Sequence, residues 1–518
     1  MIIKDFFKLK SIKRLKYLLI LFFLSYSFFC YSQGFNHTWL IGYDVGLFDT
    51  NVTSTKARLN FTTNSVTIIP ETRRMPFNAT QGNISDAYGN FLMSSNGCWI
   101  ANANNDTMMN GDSLNPGSFA STWCDNISGL PFSHANIMLP YPGDSSKFIL
   151  FHQTGNDNLI NDMATELFYT VIDMNLDSGL GGVVLKNQIA LQDTLSQGIA
   201  ACKHANGRDW WIIVTKDSSD LIYKLLLTPT GISSITTQSM MLPLAYYVSG
   251  QPTFSPDGKK FAYSSLSGTL GAAIHKVRLF DFDRCTGMFS DSHIINVSDT
   301  HVGLGLAFSP NSNYLYASST YHIFQIDINT LFVDTVATND GYYSPYPPFL
   351  DTFWLMYLAA NGKIYLSSGN GVIDFHFINY PDSAGTLCDV QQHALHSPCY
   401  YFRSNVNHPN YYLGCDTTGS CTPCLVGVEE PNKHDFRFRI YPNPLTENYL
   451  HIGYLLPQNK KGLFEMYDIT GKIVFKYNLP QWSNEQDFIL PKLAGGIYNC
   501  IISSDNYRAS KKIAVINE

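Results

Sequence analysis

Histidines His393, His396 and His408 sit close together in a turn-rich stretch, and imidazoles at such spacing could ligate a metal. Histidines in loops equally serve as plain hydrogen-bonding groups. The loop ANANNDTMMNGDSLNPG (101–117) offers Asn105, Asp106, Asn110 and Asp112, oxygen ligands of the kind Ca²⁺ takes. Their spacing departs from an EF-hand and also suits a loop of Asx turns. Cys421-x-x-Cys424, with Cys415 and a nearby histidine, supplies thiolates, but the second close ligand pair of a structural zinc site is missing. Trp210-Trp211 after Asp209 could form a platform for a sugar ring, although paired aromatics on a strand commonly fill a core. These sets stop short of a reaction. No catalytic, cofactor-binding or metal-binding residue is assigned, and no cofactor is expected.

The missing motifs point the same way. The chain has no Gly-x-Ser-x-Gly elbow, His-Glu-x-x-His pair, phosphate-binding loop or dinucleotide fingerprint. Ser255-Pro256-Asp257-Gly258 also lacks the spacing and tryptophan of a sialidase box.

The elements that must position any site are strands. Charged residues make up 14% of the 518 residues, below the roughly 25% of an average soluble protein, and aromatics reach 14%. Aromatic and β-branched side chains suit a pleated surface. The net charge is −7, with no basic stripe in the body of the chain, so nucleic acid is not an expected partner.

A turn followed by a short aromatic strand recurs. It appears as SDAYGNFLMSS (85–95), PGDSSKFILFH (142–152), HANGRDWWIIV (204–214), SPDGKKFAYSS (255–265), SPNSNYLYASS (309–319) and AANGKIYLSSG (359–369), with NHPNYYLG (407–414) as a seventh. The markers Gly89, Ser146, Gly207, Gly258, Ser312, Gly362 and Pro409 lie 57, 61, 51, 54, 50 and 47 residues apart. Further strand-like runs lie between them, such as LIYKLLLTP (221–229), KVRLFDF (276–282) and IFQIDI (323–328). A repeat near 50 residues with about four strands is the size of a propeller blade, which must pack against two neighbours to bury both faces. The expectation is an all-β fold, a β-propeller of about seven blades over 33–415; two β-sandwiches are the alternative. FSPDGKKFAY and FSPNSNYLYAS resemble the WD40-like repeats of TolB-type and dipeptidyl-peptidase-type propellers, which implies the fold and no particular activity.

Both chain ends carry addresses. Lys4, Lys8, Lys10, Lys13, Arg14 and Lys16 precede the apolar run YLLILFFLSYSFF (17–29), too short to span a bilayer. This reads as a signal peptide over 1–32, cleaved between Ser32 and Gln33; acylation at Cys30 is the alternative. No transmembrane helix is expected in the mature chain. Export to an oxidising compartment permits disulfides, with Cys98–Cys124, Cys388–Cys399 and one pair among Cys415, Cys421 and Cys424 as local candidates.

Residues 416–434 read as a linker. Beyond it, 435–518 contains strand patterns enough for a small antiparallel, immunoglobulin-like sandwich. Tyr441-Pro442-Asn443-Pro444, the turn Asp468 to Gly471, Gly496 with Tyr498, and Lys511-Lys512 before a last apolar strand resemble the type A C-terminal sorting domain of Bacteroidota type IX secretion cargo. The resemblance implies export across the outer membrane by the type IX machinery. It also implies removal of the tail by a sortase-like surface protease, and a secreted or outer-membrane-surface location. The function expected is a non-enzymatic module binding a glycan, peptide or surface partner. A lyase- or glycosidase-like propeller with a channel active site, and a structural surface-layer protein, are the alternatives.

Overall fold

The computed structural model describes residues 34–516 except 45–52, 63–64, 88, 125–128, 156–162, 241–248, 268–273, 298, 300–304, 346–347, 404–405, 417–420, 422–437, 455–460, 481–484 and 505–506. The expected signal peptide with Ser32 and Gln33, and nearly all of the expected linker, lie outside the described residues. The chain divides into two compact units, Met1–Cys424 and Leu425–Glu518.

Seven small antiparallel sheets make up the described part of the first unit. The first contains Thr38–Ile41, Ala57–Phe61 and Val66–Pro70, and the second Gly82–Ser85, Phe91–Ser95 and Ile100–Ala101. The other five have four strands each. Their first strands are Asn136–Pro140, Ala200–Lys203, Ser249–Phe254, Leu306–Phe308 and Met356–Leu358. Among the described residues the one α-helix is Ser118–Cys124, tied by its last residue to Cys98 through a disulfide.

Six of the recurring phrases are the hairpins between first and second strands of sheets two to seven. In the fifth sheet the Gly258 amide donates to Ser255 O at 2.8 Å, and Gly258 takes φ +72°. Ser255 Oγ accepts from the Lys260 amide at 2.9 Å, and Asp257 Oδ1 from the Lys259 amide at 3.0 Å. Ser309, Asn311 and Ser312 repeat this pattern in the sixth sheet, with the Tyr314 amide 3.0 Å from Ser309 Oγ. The serine pairs ending several phrases have a job too. Ser95, Ser319 and Ser368 each accept a backbone amide of the following turn, from Gly97, His322 and Asn370. The turn chemistry is therefore local and repeats with the sequence.

Consecutive side chains on the second strands point into different cores, because each sheet is covered on both faces. Trp210 packs toward the third sheet and Trp211 toward the fifth. Phe261 faces the fourth sheet, whereas Ala262 faces the sixth. Leu315 and Tyr316 divide in the same way between the fifth and seventh. The succession returns on itself: Tyr357, Tyr365, Phe375 and Tyr401 of the seventh sheet share a core with Trp39, Leu59 and Phe61 of the first. This explains why the strands lack a clean polar–apolar alternation.

The seventh phrase differs from its expected role. Residues 407–414 form no strand. They are a strap along the first strands. Asn407 Nδ2 donates to Ile199 O at 2.7 Å and His134 O at 3.3 Å, and His408 Nε2 donates to Asn83 O at 2.7 Å. Asn410 Nδ2 reaches Pro256 O at 2.6 Å, and Tyr411 Oη reaches Met138 O at 2.9 Å. Tyr412 Oη accepts the amides of Gly34 and Phe35. Four sheets and the chain's first described residues thus meet on one segment. Gln251 plays a matching part, bonding Met356 O at 2.6 Å and the amides of Leu306 and Met356 at 3.1 Å.

Cysteine pairing follows expectation at Cys98–Cys124 and departs from it at Cys388, Cys399 and Cys421. Cys388 and Cys399 are free and buried, in two different cores. Cys421 bonds Cys285, 136 residues away, which removes it from any thiolate metal set. Cys415 is disulfide-bonded as well, and Cys424 lies outside the described residues.

In the second unit, Arg439–Tyr441, Tyr449–Gly453 and Glu485–Ile489 form one sheet. Ile473–Leu479, Gly462–Tyr467, Gly496–Ser504 and Tyr507–Val515 form the other, in that order. Leu450, Ile452 and Phe488 from the first meet Phe464, Met466, Cys500, Ile502 and Ile513 from the second.

Burial holds four histidines neutral. It lowers the pKa of His134 and His152 to about 3 and that of His275 and His408 to about 4. The unfolded chain takes up these protons near pH 6.5, the folded chain only well below it, so stability must fall as pH drops through that window. Well below pH 6.5 each such histidine costs roughly 1.4 kcal/mol per pH unit. Urea unfolding between pH 7.5 and 5 should show this loss, with a shallower slope in His152→Gln; a flat profile would refute it.

Candidate functional site

The strand Val390–Tyr401 pairs with Val372–Ile378 in the seventh sheet, but its register breaks between Val372 and Asp374 and again between Phe375 and Phe377. The break frees the His393 amide, which donates to His376 Nδ1 at 2.9 Å. His376 Nε2 lies 3.1 Å from Asp351 Oδ1, and both side chains are fully buried.

Two further pairs reach the surface. His393 Nε2 lies 2.7 Å from Asp340 Oδ2, and its ring stacks on Tyr342 at 4.2 Å between centroids. His396 Nδ1 lies 2.8 Å from Asp374 Oδ1. Burial raises the Asp374 pKa, against the opposing pull of His396. At Asp340 burial pushes the carboxyl up, but the His393 hydrogen bond and nearby groups leave it below its ordinary value.

The loop 339–355 frames these pairs. The Ser344 amide donates to Phe349 O at 2.9 Å, the Asp351 amide to Tyr342 O at 3.0 Å, and Asn339 Nδ2 to Asp351 O at 2.7 Å. Gln392 joins the loop to the last strand, accepting from the Asp340 amide and donating to Thr338 O. So held, the loop leaves Tyr343 57% and Phe349 47% exposed. Exposed rings beside paired acids and imidazoles can stack on a ligand and hydrogen-bond it at once.

Of the histidines singled out from sequence, His393 and His396 belong here, while His408 is committed to the strap. The three do not converge. Among the described residues no group of three or more His, Cys, Asp or Glu side chains is arranged to hold a metal. Asn105, Asp106, Asn110 and Asp112 do not converge either. Asn102 Oδ1 accepts the amides of Asn104 and Asp106 in an Asx turn, Asn110 Nδ2 bonds Val183 O, and Asp112 pairs with Lys186 at 3.1 Å. The loop is docked on the third sheet. Trp210 and Trp211 are core residues whose indole N–H groups donate to Pro140 O and Arg284 O, so they form no exposed platform.

Sequence reasoning missed His376, Asp351, Asp374, Asp340 and Tyr342. They come from two elements, the loop 339–355 and the strand Val372–Ile378, and the register break adds His393 and His396 from a third. It also missed Ser264 Oγ, 2.6 Å from His275 Nε2, a contact wholly buried in the fifth sheet.

In the second unit, Asn443 of the Tyr441–Pro444 segment donates to Lys512 O at 3.1 Å and accepts the Ala514 amide at 3.0 Å. Asp468 Oδ1 accepts the amides of Thr470 and Lys472, closing a turn in which Gly471 takes φ +83°. Tyr498 Oη donates to Ala494 O, while Lys511 and Lys512 are exposed on the last strand. Residues 439–516 match the family described as the secretion system C-terminal sorting domain. The tail is a sorting domain.

This sorting domain directs the chain through type IX secretion, so the protein is secreted or displayed at the cell surface. Among the described residues no helix is long and apolar enough to cross a membrane. No curated protein matches the chain. Among solved structures it is similar to a 6-phosphogluconolactonase assignment from Bacteroides uniformis, at 13% identity over 66% of this chain and 92% of that one, with a TM-score of 0.35. The extracellular domain of a hybrid two-component system from Bacteroides thetaiotaomicron matches at 10% identity over 92% of this chain and 57% of that one, TM-score 0.34. A TolB-type protein of Agrobacterium tumefaciens matches at 14% identity over 54% and 86%, TM-score 0.30.

The core assignment of the tryptophans has a direct check. Trp211→Ala should lower unfolding free energy by about 3–5 kcal/mol in urea titrations, whereas Tyr343→Ala should change it by no more than about 0.5 kcal/mol. Equal stability of the two variants would contradict the burial described.

Proposed function

We propose that the protein is an exported, non-enzymatic binding module: a seven-bladed β-propeller over residues 33–415 that engages a glycan, peptide or surface partner. A signal peptide over 1–32, cut between Ser32 and Gln33, a linker over 416–434 and an immunoglobulin-like sorting domain over 435–518 complete it. The cyclic order of shared cores, with the seventh sheet returning to the first, supports the propeller reading. The sorting-domain match supports the export route and its machinery as a partner. Cleavage in the linker by a sortase-like surface protease follows from the same resemblance. Tyr441, Pro442, Asn443, Pro444, Asp468, Gly471, Gly496, Tyr498, Lys511 and Lys512 are the sorting determinants.

One observation carries the binding role. Tyr343 and Phe349 stand exposed on a hydrogen-bonded loop beside the His393–Asp340 and His396–Asp374 pairs. An active site in a central channel is the weaker reading, because the strap 407–412 bonds along the first strands where such a channel would run.

Two experiments separate route from role. Deleting 435–518, or replacing Lys511 and Lys512 with Ala, should abolish surface display and leave the chain in the periplasm; undiminished display refutes the sorting assignment. On a glycan and peptide array, the double variant Tyr343→Ala, Phe349→Ala should lose at least about tenfold in affinity, roughly 1.4 kcal/mol. Unchanged binding removes the loop from the recognition surface.

A further inference from the structure

Between the first two sheets lies an open cleft of about 360 Å³, lined by His37, Thr38, Arg58, Asn60, Asn90 and Phe91 among others. That is the lower end of the size range of small-molecule sites. Thr38 and Asn60 are cross-strand partners, and Arg58 lies two residues from Asn60 on the same side of its strand. Asn90 and Phe91 follow the second sheet's hairpin. Its Gly89, at φ +87°, packs so closely on His37 that a Cβ there would lie 3.0 Å from Nδ1. The turn therefore needs glycine to hold the imidazole at the cleft wall.

Neighbouring groups use part of the hydrogen-bonding capacity of Asn60, Asn90 and Arg58 and, among the described residues, leave the rest unused. Asn90 Nδ2 donates to both oxygens of Asp86, at 3.3 and 3.0 Å, which leaves Oδ1 as an acceptor. Asn60 Oδ1 accepts from Thr38 Oγ1 at 3.4 Å, which leaves Nδ2 as a donor. Arg58 Nη2 bonds Glu71 and its Cζ lies over Phe91 at 4.7 Å from the ring centre, and among the described residues Nε and Nη1 have no hydrogen-bond partner. His37 Nε2 is buried and makes no hydrogen bond. The charges close by balance. Glu71 is shared between Arg58 and Arg73, and Asp86 stands behind Asn90.

Fixed planar donors next to an acceptor, with no net charge, match the hydroxyl groups of an uncharged sugar, each of which donates and accepts. Ionic ligands gain nothing from a balanced site. We infer that this cleft is a binding site for a neutral saccharide residue, separate from the seventh-sheet loop; the inference rests on the binding-module reading.

The test uses the purified full chain with methyl α-glucoside, methyl β-galactoside and methyl α-mannoside, with glucuronate as the charged comparator. Saturation-transfer NMR and calorimetry would compare wild type, Asn60→Ala, Asn90→Ala and the Tyr343→Ala, Phe349→Ala loop variant. At least one neutral glycoside should bind, with affinity lowered about tenfold or more by Asn60→Ala while the melting curve and the loop variant's affinity stay as in wild type. Asn90→Ala should act in the same direction. Absence of binding by all three glycosides, tighter binding of glucuronate, or unchanged affinity in Asn60→Ala would each overturn the inference. If only the loop variant loses binding, the binding-module reading stands and the cleft assignment falls. If only the cleft variants lose it, the cleft stands as a site separate from the loop, whose own role is read from the array.

Discussion

A four-stranded sheet with apolar side chains on both faces cannot persist alone in water, and this constraint governs the first unit. Burying a large aromatic side chain is worth about 1.5–3 kcal/mol. Phe261 secures that gain only if the fourth sheet is present, while its neighbour Ala262 needs the sixth. Each sheet thus depends on two others. The chain of dependencies has no free end, since Trp39 and Phe61 of the first sheet pack with Tyr365 and Tyr401 of the seventh.

The same packing creates a second demand, for the backbone at the first strands. Adjacent first strands lie side by side without pairing, so their carbonyls require partners from elsewhere. Side-chain amides supply them. Asn83 and Gln81 bond the Thr38 and Leu40 carbonyls, Gln251 serves two sheets at once, and the strap brings Asn407, His408 and Asn410. An unpaired buried amide or carbonyl costs about 1–3 kcal/mol, so this polar interior is as binding a requirement as the apolar cores. It accounts for a low-charge composition rich in uncharged polar residues better than solvent exposure does.

What could be read from the sequence follows from how local each interaction is. The hairpins were legible because Ser255, Asp257 and Gly258 close their turn within six residues, and Ser309, Asn311 and Ser312 do so again. Pro409 was misread because the strap carries the same turn residues but bonds carbonyls more than 150 residues away. Cys285–Cys421 was hidden for a similar reason. His393 and His396 stood out by residue type, yet the expected link with His408 failed because the strap holds that ring elsewhere. Their actual partners depend on a register break that no spacing rule announces.

That break explains where recognition chemistry can arise on such a body. A regular ladder uses every amide, and both faces of each sheet are committed to neighbours, so few polar groups are left over. Spare capacity appears only where regularity fails. At His393 an irregular strand sets two imidazoles against Asp340 of an aromatic loop and Asp374 of the neighbouring strand. At Gly89 a tight turn brings a second sheet against His37 and leaves amide groups half used. Both places lie on a scaffold that shared apolar cores and side-chain bonds to backbone carbonyls already hold in place, which is the arrangement that keeps a binding surface in shape.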